Sequence, residues 1–368
     1  MSQEAVGEQT SLSDRKKRAG QRLIIGLSGP ALTSDECTLI SRIRPAGFIL
    51  FARNVEEPAQ VRELNRELAS LLPDSLPPIR SVDQEGGRVL RIRDTPWPPM
   101  QWLGNIDDHA LTTRVARGLA EELRAMHFDL TWAPCTDVDS NPDNPVIGDR
   151  SFSRSPEQCA RHALAWLEGM HQSGLAGCVK HFPGHGDTAQ DSHLELPSVE
   201  KELPDLQHCE LVPFQAAIRA GVEAVMTAHV VFPVLDEEWP ATLSRRVLHG
   251  VLRTELGHSG LVVSDDLEMK AVHGRYSLDV LLDASCRATC DLFLACEDPQ
   301  LQWQAWEELI HLQESHPAHD TLARDSSQRL LAFRERFFLG RAPEPPLSVV
   351  GSHDNLALSK TVRQRGRL

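Results

Sequence analysis

The chain has 368 residues, 41% of them apolar and 24% charged, ordinary usage for a globular protein with a sizeable core, so disordered and fibrous classes are excluded. A formal net charge of −14 argues against nucleic acid as a partner, because phosphate binding needs clustered Lys and Arg. No run approaches the roughly 20 apolar residues of a membrane span, and residues 1–20 lack the apolar core of a signal peptide. A cytoplasmic protein that does not engage a membrane is expected.

In chain order, residues 1–20 read as a polar tail, with Arg15, Lys16, Lys17 and Arg18 solvated. Short apolar, β-rich runs then recur at 22–29, 46–51, 77–84, 128–138, 174–182, 223–230, 260–267 and 290–296. Between them lie stretches with apolar residues at three- and four-residue spacing, notably 58–72, 112–126, 155–170 and 244–256, several opened by Ser or Pro. Strict alternation of this kind implies parallel strands with helices outside, either an open doubly wound sheet or a closed barrel. No GxGxxG follows the first strand, which weakens the dinucleotide-binding version.

Ionisable residues gather where the strands end: Asp83, Asp137, Lys180 with His181, His229, and Asp265 with Asp266. That distribution favours the α/β class with a single-domain (β/α)₈ TIM barrel, whose active sites lie at the C-terminal ends of the strands. The barrel is expected over 21–340. The Pro-rich stretch after it reads as a connector, and 341–368 as that connector plus a helix docked through Leu356, Ala357 and Val362. The eight cysteines form no CxxC pair and read as reduced, small buried groups.

The densest chemistry is KHFPGHGDTAQDSH, residues 180–193. So many ionisable groups cannot all be buried unpaired. One reading makes His181, His185, Asp187, Asp191 and His193 metal ligands, giving a metal-dependent barrel hydrolase. The other pairs Asp191 with His193 as an acid/base unit in which the carboxylate orients the imidazole. Gly184 and Gly186 suggest a flexible loop, which suits a moving catalytic group. At the seventh strand's end, Asp265 and Asp266 should face opposite ways, so only one can point into the barrel mouth. Asp83, Arg88 and Arg91 in SVDQEGGRVLR suit hydroxyl binding, though a tight loop with solvated arginines would explain them as well; Arg150 in VIGDRSF could hold a carboxylate or amide oxygen, or equally make a surface salt bridge.

Taken together, GFILFARN (47–54), VDQEGGRVLR (82–91), APCTDVD (133–139), IGDRSF (147–152), KHFPGHGDTAQDSH (180–193), MTAHVVFP (226–233), ATLS (241–244) and SDDLEM (264–269) resemble the small single-barrel β-N-acetylhexosaminidases of glycoside hydrolase family 3. The stretches keep the family's order, and KHFPGHG with DSH downstream is highly specific. The resemblance implies a retaining exo-β-N-acetylglucosaminidase. Asp265 would be its nucleophile, His193 its acid/base and Asp191 the orienting carboxylate. Asp83, Arg91, Arg150, Lys180 and His181 would bind the terminal sugar. It implies no cofactor or metal, a monomer, and peptidoglycan fragments as substrates: N-acetylglucosamine β-1,4-linked to anhydro-N-acetylmuramic acid, with or without peptide. Two departures stand out. Thr289 occupies a position where the family commonly has glycine, so the local turn is expected to be distorted, and Gly257-His258-Ser259-Gly260 replaces the usual Gly-Phe-Asp-Gly.

Overall fold

The computed structural model describes residues 11–189, 192 and 196–367. Eight parallel strands form the centre: β1 (Leu23–Gly26), β2 (Gly47–Leu50), β3 (Ile79–Val82), β4 (Leu130–Thr131), β5 (Ala176–Gly177 and Val179–Phe182), β6 (Ala224–Thr227), β7 (Leu261–Asp266) and β8 (Leu292–Ala295). Neighbours pair in sequence order, and β8 returns to β1 through Leu23↔Phe293. The two halves of β5 close the ring. Ala176 pairs with Leu130 of β4, while Val179 pairs with Val225 of β6. The sheet is therefore a barrel, and helices between the strands complete the (β/α)₈ architecture.

Alternation along the strands separates two cores. Ile24, Ile49, Ile79, Leu130, Ala176, Met226, Leu261, Val263 and Leu294 fill the barrel interior. Their neighbours Leu23, Ile25, Phe48, Leu50, Val225, Val262 and Phe293 face the helices. Leu330, Phe333 and Phe337, from the helix Pro317–Phe338, join the interior cluster. The same helix bonds carbonyls just before β3 and β6, Arg334 Nε to Pro77 O at 2.9 Å and Arg336 Nη1 to Gly221 O at 2.8 Å. It thus stoppers the N-terminal end and leaves the C-terminal mouth for chemistry.

Local signals account for the element ends. Thr33 and Glu36 form a reciprocal capping box on Ser34–Ile43. Ser155 caps Pro156–Gln172, which has proline in its first turn. The stretch from 128 to 138 yields only two strand residues before Pro134, which lacks the N–H needed to continue a ladder. Arg246–Glu255 winds as a π-helix.

Two expectations about the termini are corrected. Residues 12–20 are not a solvated tail: Leu12–Gly20 is a helix capped by Ser11. Arg18 binds Asp320 and Gln313, and Trp306 Nε1 donates to Lys16 O at 3.1 Å. Its polar composition hid it, because it docks through charge pairs and the buried Ala19 and Gly20. The C-terminal helix, His353–Gly366, docks through Asn355, Ser359, Val362 and Gly366, whereas Leu356 and Ala357 are exposed. Asn355 Nδ2 reaches the buried Glu122 at 2.9 Å. All eight cysteines are free, six of them buried. No helix is long and apolar enough to cross a membrane among the described residues.

Candidate active site

A cavity of about 210 Å³ opens at the C-terminal mouth, lined among others by Phe51, Asp83, Arg91, Trp132, Arg150, Lys180, His181, His185, Ser192, Asp265 and Asp266. The sugar-binding candidates therefore come to one place from three separate segments, together with the doublet from β7. Asp191 and His193 lie outside the described residues.

A buried charge network builds the cavity wall. Lys180 Nζ donates to Asp83 Oδ1 at 2.9 Å and lies 2.7 Å from Glu85 Oε1. Arg150 grips the same Glu85 with two parallel bonds, Nε to Oε2 at 2.9 Å and Nη2 to Oε1 at 2.8 Å. Burial would raise the Glu85 carboxyl, but Arg150 and Lys180 hold it far below the usual carboxylate range. Burial would likewise lower Lys180, and Asp83 and Glu85 raise it instead. Both cations stay charged with their donors fixed. Arg91 Nη2 reaches Asp83 Oδ2 at 3.4 Å, and its guanidinium lies over the Phe51 ring. Its buried Nε has no hydrogen-bond partner among the described residues.

A second group orients the histidines. Asp137, fully buried, accepts His181 Nδ1 at 2.7 Å, the His181 backbone N–H at 3.1 Å and the His185 N–H at 2.7 Å. Burial would raise its carboxyl, yet the two histidines lower it to about 2. His181 Nε2 is thereby turned toward the cavity, 3.4 Å from Arg150 Nη2. His185 is buried, with Nδ1 2.9 Å from Thr188 Oγ1 and Nε2 2.9 Å from Ser192 Oγ. Burial pushes its pKa down to about 4. Both of its ring nitrogens are thus engaged by hydroxyls, which weighs against a ligand role.

Strand irregularity explains how adjacent residues share the mouth. Asp265 and Asp266 both line the cavity, contrary to simple alternation. Between Val263↔Leu292 and Asp266↔Leu294, β7 advances one residue more than β8, a bulge that turns the doublet. The same shift between Val179↔Val225 and Phe182↔Thr227 brings Lys180 and His181 to one side. Asp266 N donates to Asp265 Oδ1 at 2.8 Å. Burial, with Glu268 and Asp265 adding like charge, pushes the Asp266 carboxyl up to about 7. His229 Nε2 lies 3.0 Å from Asp266 O and fixes the strand end from below.

The first part of the 184–194 loop is anchored, not loose. Asn144 Nδ2 binds His185 O at 2.8 Å and Thr188 Oγ1 at 3.1 Å. At Gly186 an added Cβ would sit 1.6 Å from Val138 O, so glycine there permits close approach and does not supply flexibility. Arg88 is also not a cavity residue. It pins the Arg150 segment by donating to Val146 O and Ile147 O and pairing with Asp149 at 3.2 Å.

Sequence reasoning gave no role to Glu85, Asp137 or Ser192. For Glu85 a signal existed: a second carboxylate two residues beyond Asp83, in a segment that also carries Arg88 and Arg91. Asp137 was noticed as a strand-end acid, but nothing local connects it to His181 and His185, 44 and 48 residues away.

Comparison with known proteins places this geometry. The glycosyl hydrolase family 3 N-terminal domain matches residues 17–332. A beta-hexosaminidase of Nitrosomonas eutropha is 38% identical over 307 residues, 81% of this chain and 86% of that protein. A glycoside hydrolase family 3 beta-N-acetylglucosaminidase from Paenibacillus sp. str. FPU-7 superposes with a TM-score of 0.90 at 37% identity, covering 95% of this chain and 68% of that one. NagZ from Neisseria gonorrhoeae, in complex with N-trifluoroacetyl-D-glucosamine, superposes with a TM-score of 0.78 at 32% identity, covering 94% and 98% of the two chains.

Proposed function

The chain belongs to glycosyl hydrolase family 3 and is a glycoside hydrolase of the β-N-acetylhexosaminidase type, and from that premise we propose that it is a retaining exo-acting enzyme removing terminal N-acetylglucosamine from peptidoglycan fragments. The observation that carries this reading is the convergence of Asp83, Arg91, Arg150, Lys180, His181 and Asp265 on one small cavity at the barrel mouth. A cavity of about 210 Å³ suits one sugar unit at a chain end better than a polymer threaded through.

In this reading Asp265 attacks the anomeric carbon and forms a glycosyl-enzyme. His193, oriented by Asp191, protonates the leaving oxygen and then, as the neutral base, activates water. Most retaining glycosidases use two carboxyl groups about 5–5.5 Å apart, and here an imidazole takes the place of one. Its ordinary pKa of about 6.5 lets it serve as acid and base near neutrality. The fixed donors of Lys180, Arg150 and Arg91 and the acceptor oxygens of Asp83 bind ring hydroxyls and the acetamido oxygen. His181 Nε2, set by Asp137, adds one more polar contact. The chain would act as a monomer in cytoplasmic wall recycling.

The test is turnover of an aryl N-acetyl-β-glucosaminide, with the anomeric configuration of the first product read by NMR. The β-anomer is expected first, at an unchanged rate after exhaustive chelation. An α-anomer would overturn the double-displacement reading. Lost activity restored by zinc or manganese would replace it with metal-assisted hydrolysis.

A further inference from the structure

Away from the mouth, Asp107, His109 and His162 bring three ligand-type atoms within 4.8 Å of one another. None of the three lines the cavity described above. Asp107 follows the helix Met100–Ile106, His109 opens the helix His109–Ala125, and His162 lies within Pro156–Gln172. Asp107 Oδ1 is 3.2 Å from His162 Nε2 and 3.5 Å from His109 Nε2. Two ligands each about 2.0–2.1 Å from a tetrahedral ion stand about 3.3–3.4 Å apart, so these separations already match a small divalent ion.

The surroundings prepare the donors. His162 is fully buried, and its Nδ1 lies 2.9 Å from Thr112 Oγ1. With an ion bound, the Thr112 hydroxyl donates to Asp108 O at 3.4 Å and accepts from Nδ1–H, which frees the Nε2 lone pair for the ion; without one, Nε2–H donates to Asp107 Oδ1. Phe152 stacks on the same imidazole, 5.3 Å between centroids, and blocks rotation of the ring. His109 Nε2 is shielded from solvent and has no hydrogen-bond partner among the described residues; its contact with Asp107 Oδ1 is an ion-pair distance of 3.5 Å. The Asp107 side chain is about half exposed, so water can complete the coordination.

We propose that Asp107, His109 and His162 form a structural site for a divalent transition metal, with zinc the best match to two imidazoles and one carboxylate. The ion would clamp three helices at a junction that also holds the C-terminal helix, since Arg365 pairs with the neighbouring Asp108 and Asn105 Nδ2 binds Gly366 O. It would also stiffen the segment carrying Arg150 through Phe152. It takes no part in the reaction.

Cobalt(II) titration of the chelator-treated full chain tests this, because tetrahedral cobalt gives strong visible absorption. One cobalt per chain is expected, displaced by zinc, with the thermal midpoint raised by either ion. His109→Ala and Asp107→Asn, both near the surface and separate from the cavity, should each weaken binding by about tenfold to a hundredfold or more, and zinc should then no longer raise the midpoint. A His181→Gln variant separates this site from the histidines of the mouth and should bind cobalt as the parent does. Absence of a tetrahedral band in the parent, or equal affinity in parent and His109→Ala, would overturn the proposal.

Discussion

Glu85 and Arg150 face each other through two hydrogen bonds of 2.8 and 2.9 Å, and the carboxylate is 1% exposed. Because Lys180 shares that carboxylate, one buried anion fixes two cations at the cavity wall. Glu85→Gln keeps the shape and removes the charge. The expected result is a loss of about 3–5 kcal/mol in urea denaturation and a raised KM for the aryl glycoside. A variant with the parent's stability and KM would show that the network is dispensable.

Thr289 has φ of 79°, in the left-handed region that disfavours a β-branched residue, and its buried Oγ1 has no hydrogen-bond partner among the described residues. The turn there is therefore strained, as expected from a threonine at a position that suits glycine. Thr289→Gly should raise stability by about 1 kcal/mol, the relief of a 1–2 kcal/mol steric penalty less the extra freedom of the unfolded chain. An unchanged or lowered thermal midpoint would mean that the turn carries no such strain.

His258 is a second residue at which the sequence departs from the pattern that the resemblance implies. It is buried, its Nε2 lies 3.0 Å from Leu261 O, and burial, with Arg253 adding, pushes its pKa down to about 4. The unfolded chain takes up this proton near pH 6.5 and the folded chain only near 4, so stability falls as pH drops through that window. The loss per such histidine is on the order of 3 kcal/mol across the full window. His185 contributes in the same direction. His258→Phe should flatten the slope of unfolding free energy between pH 6.5 and 4.5 without abolishing it. A slope identical to the parent's would contradict the assignment.

His193→Ala should slow substrates with poor leaving groups far more than activated aryl glycosides, since only the former need protonation. Azide should partly restore the second step. Equal losses on both substrate classes, with no rescue, would give His193 a binding role and move the proton source elsewhere.

The barrel was legible because eight apolar runs alternate with helical periodicity, and because Asp83, Lys180 and His181 end strands that are otherwise apolar. What local patterning could not show was anything dependent on partners far along the chain. Glu85 could be noticed as a second carboxylate near Asp83, but its burial depends on Arg150, 65 residues away. Asp265 and Asp266 broke the alternation rule through a bulge set by the neighbouring strand's register. Leu12–Gly20 looked solvated because its docking surface is charge pairs and small residues. Leu356 looked like a docking residue because an apolar side chain was assumed to need cover, and the helix instead uses Asn355, Ser359 and Val362.

The central claim, that Asp265 is the nucleophile, is tested most directly by trapping the glycosyl-enzyme with a fluorinated N-acetylglucosaminide and mapping the labelled peptide by mass spectrometry. One label per chain is expected, on Asp265, and no label in an Asp265→Ala variant that retains the parent's fold. A label on the neighbouring Asp266 or on Glu268 would contradict it.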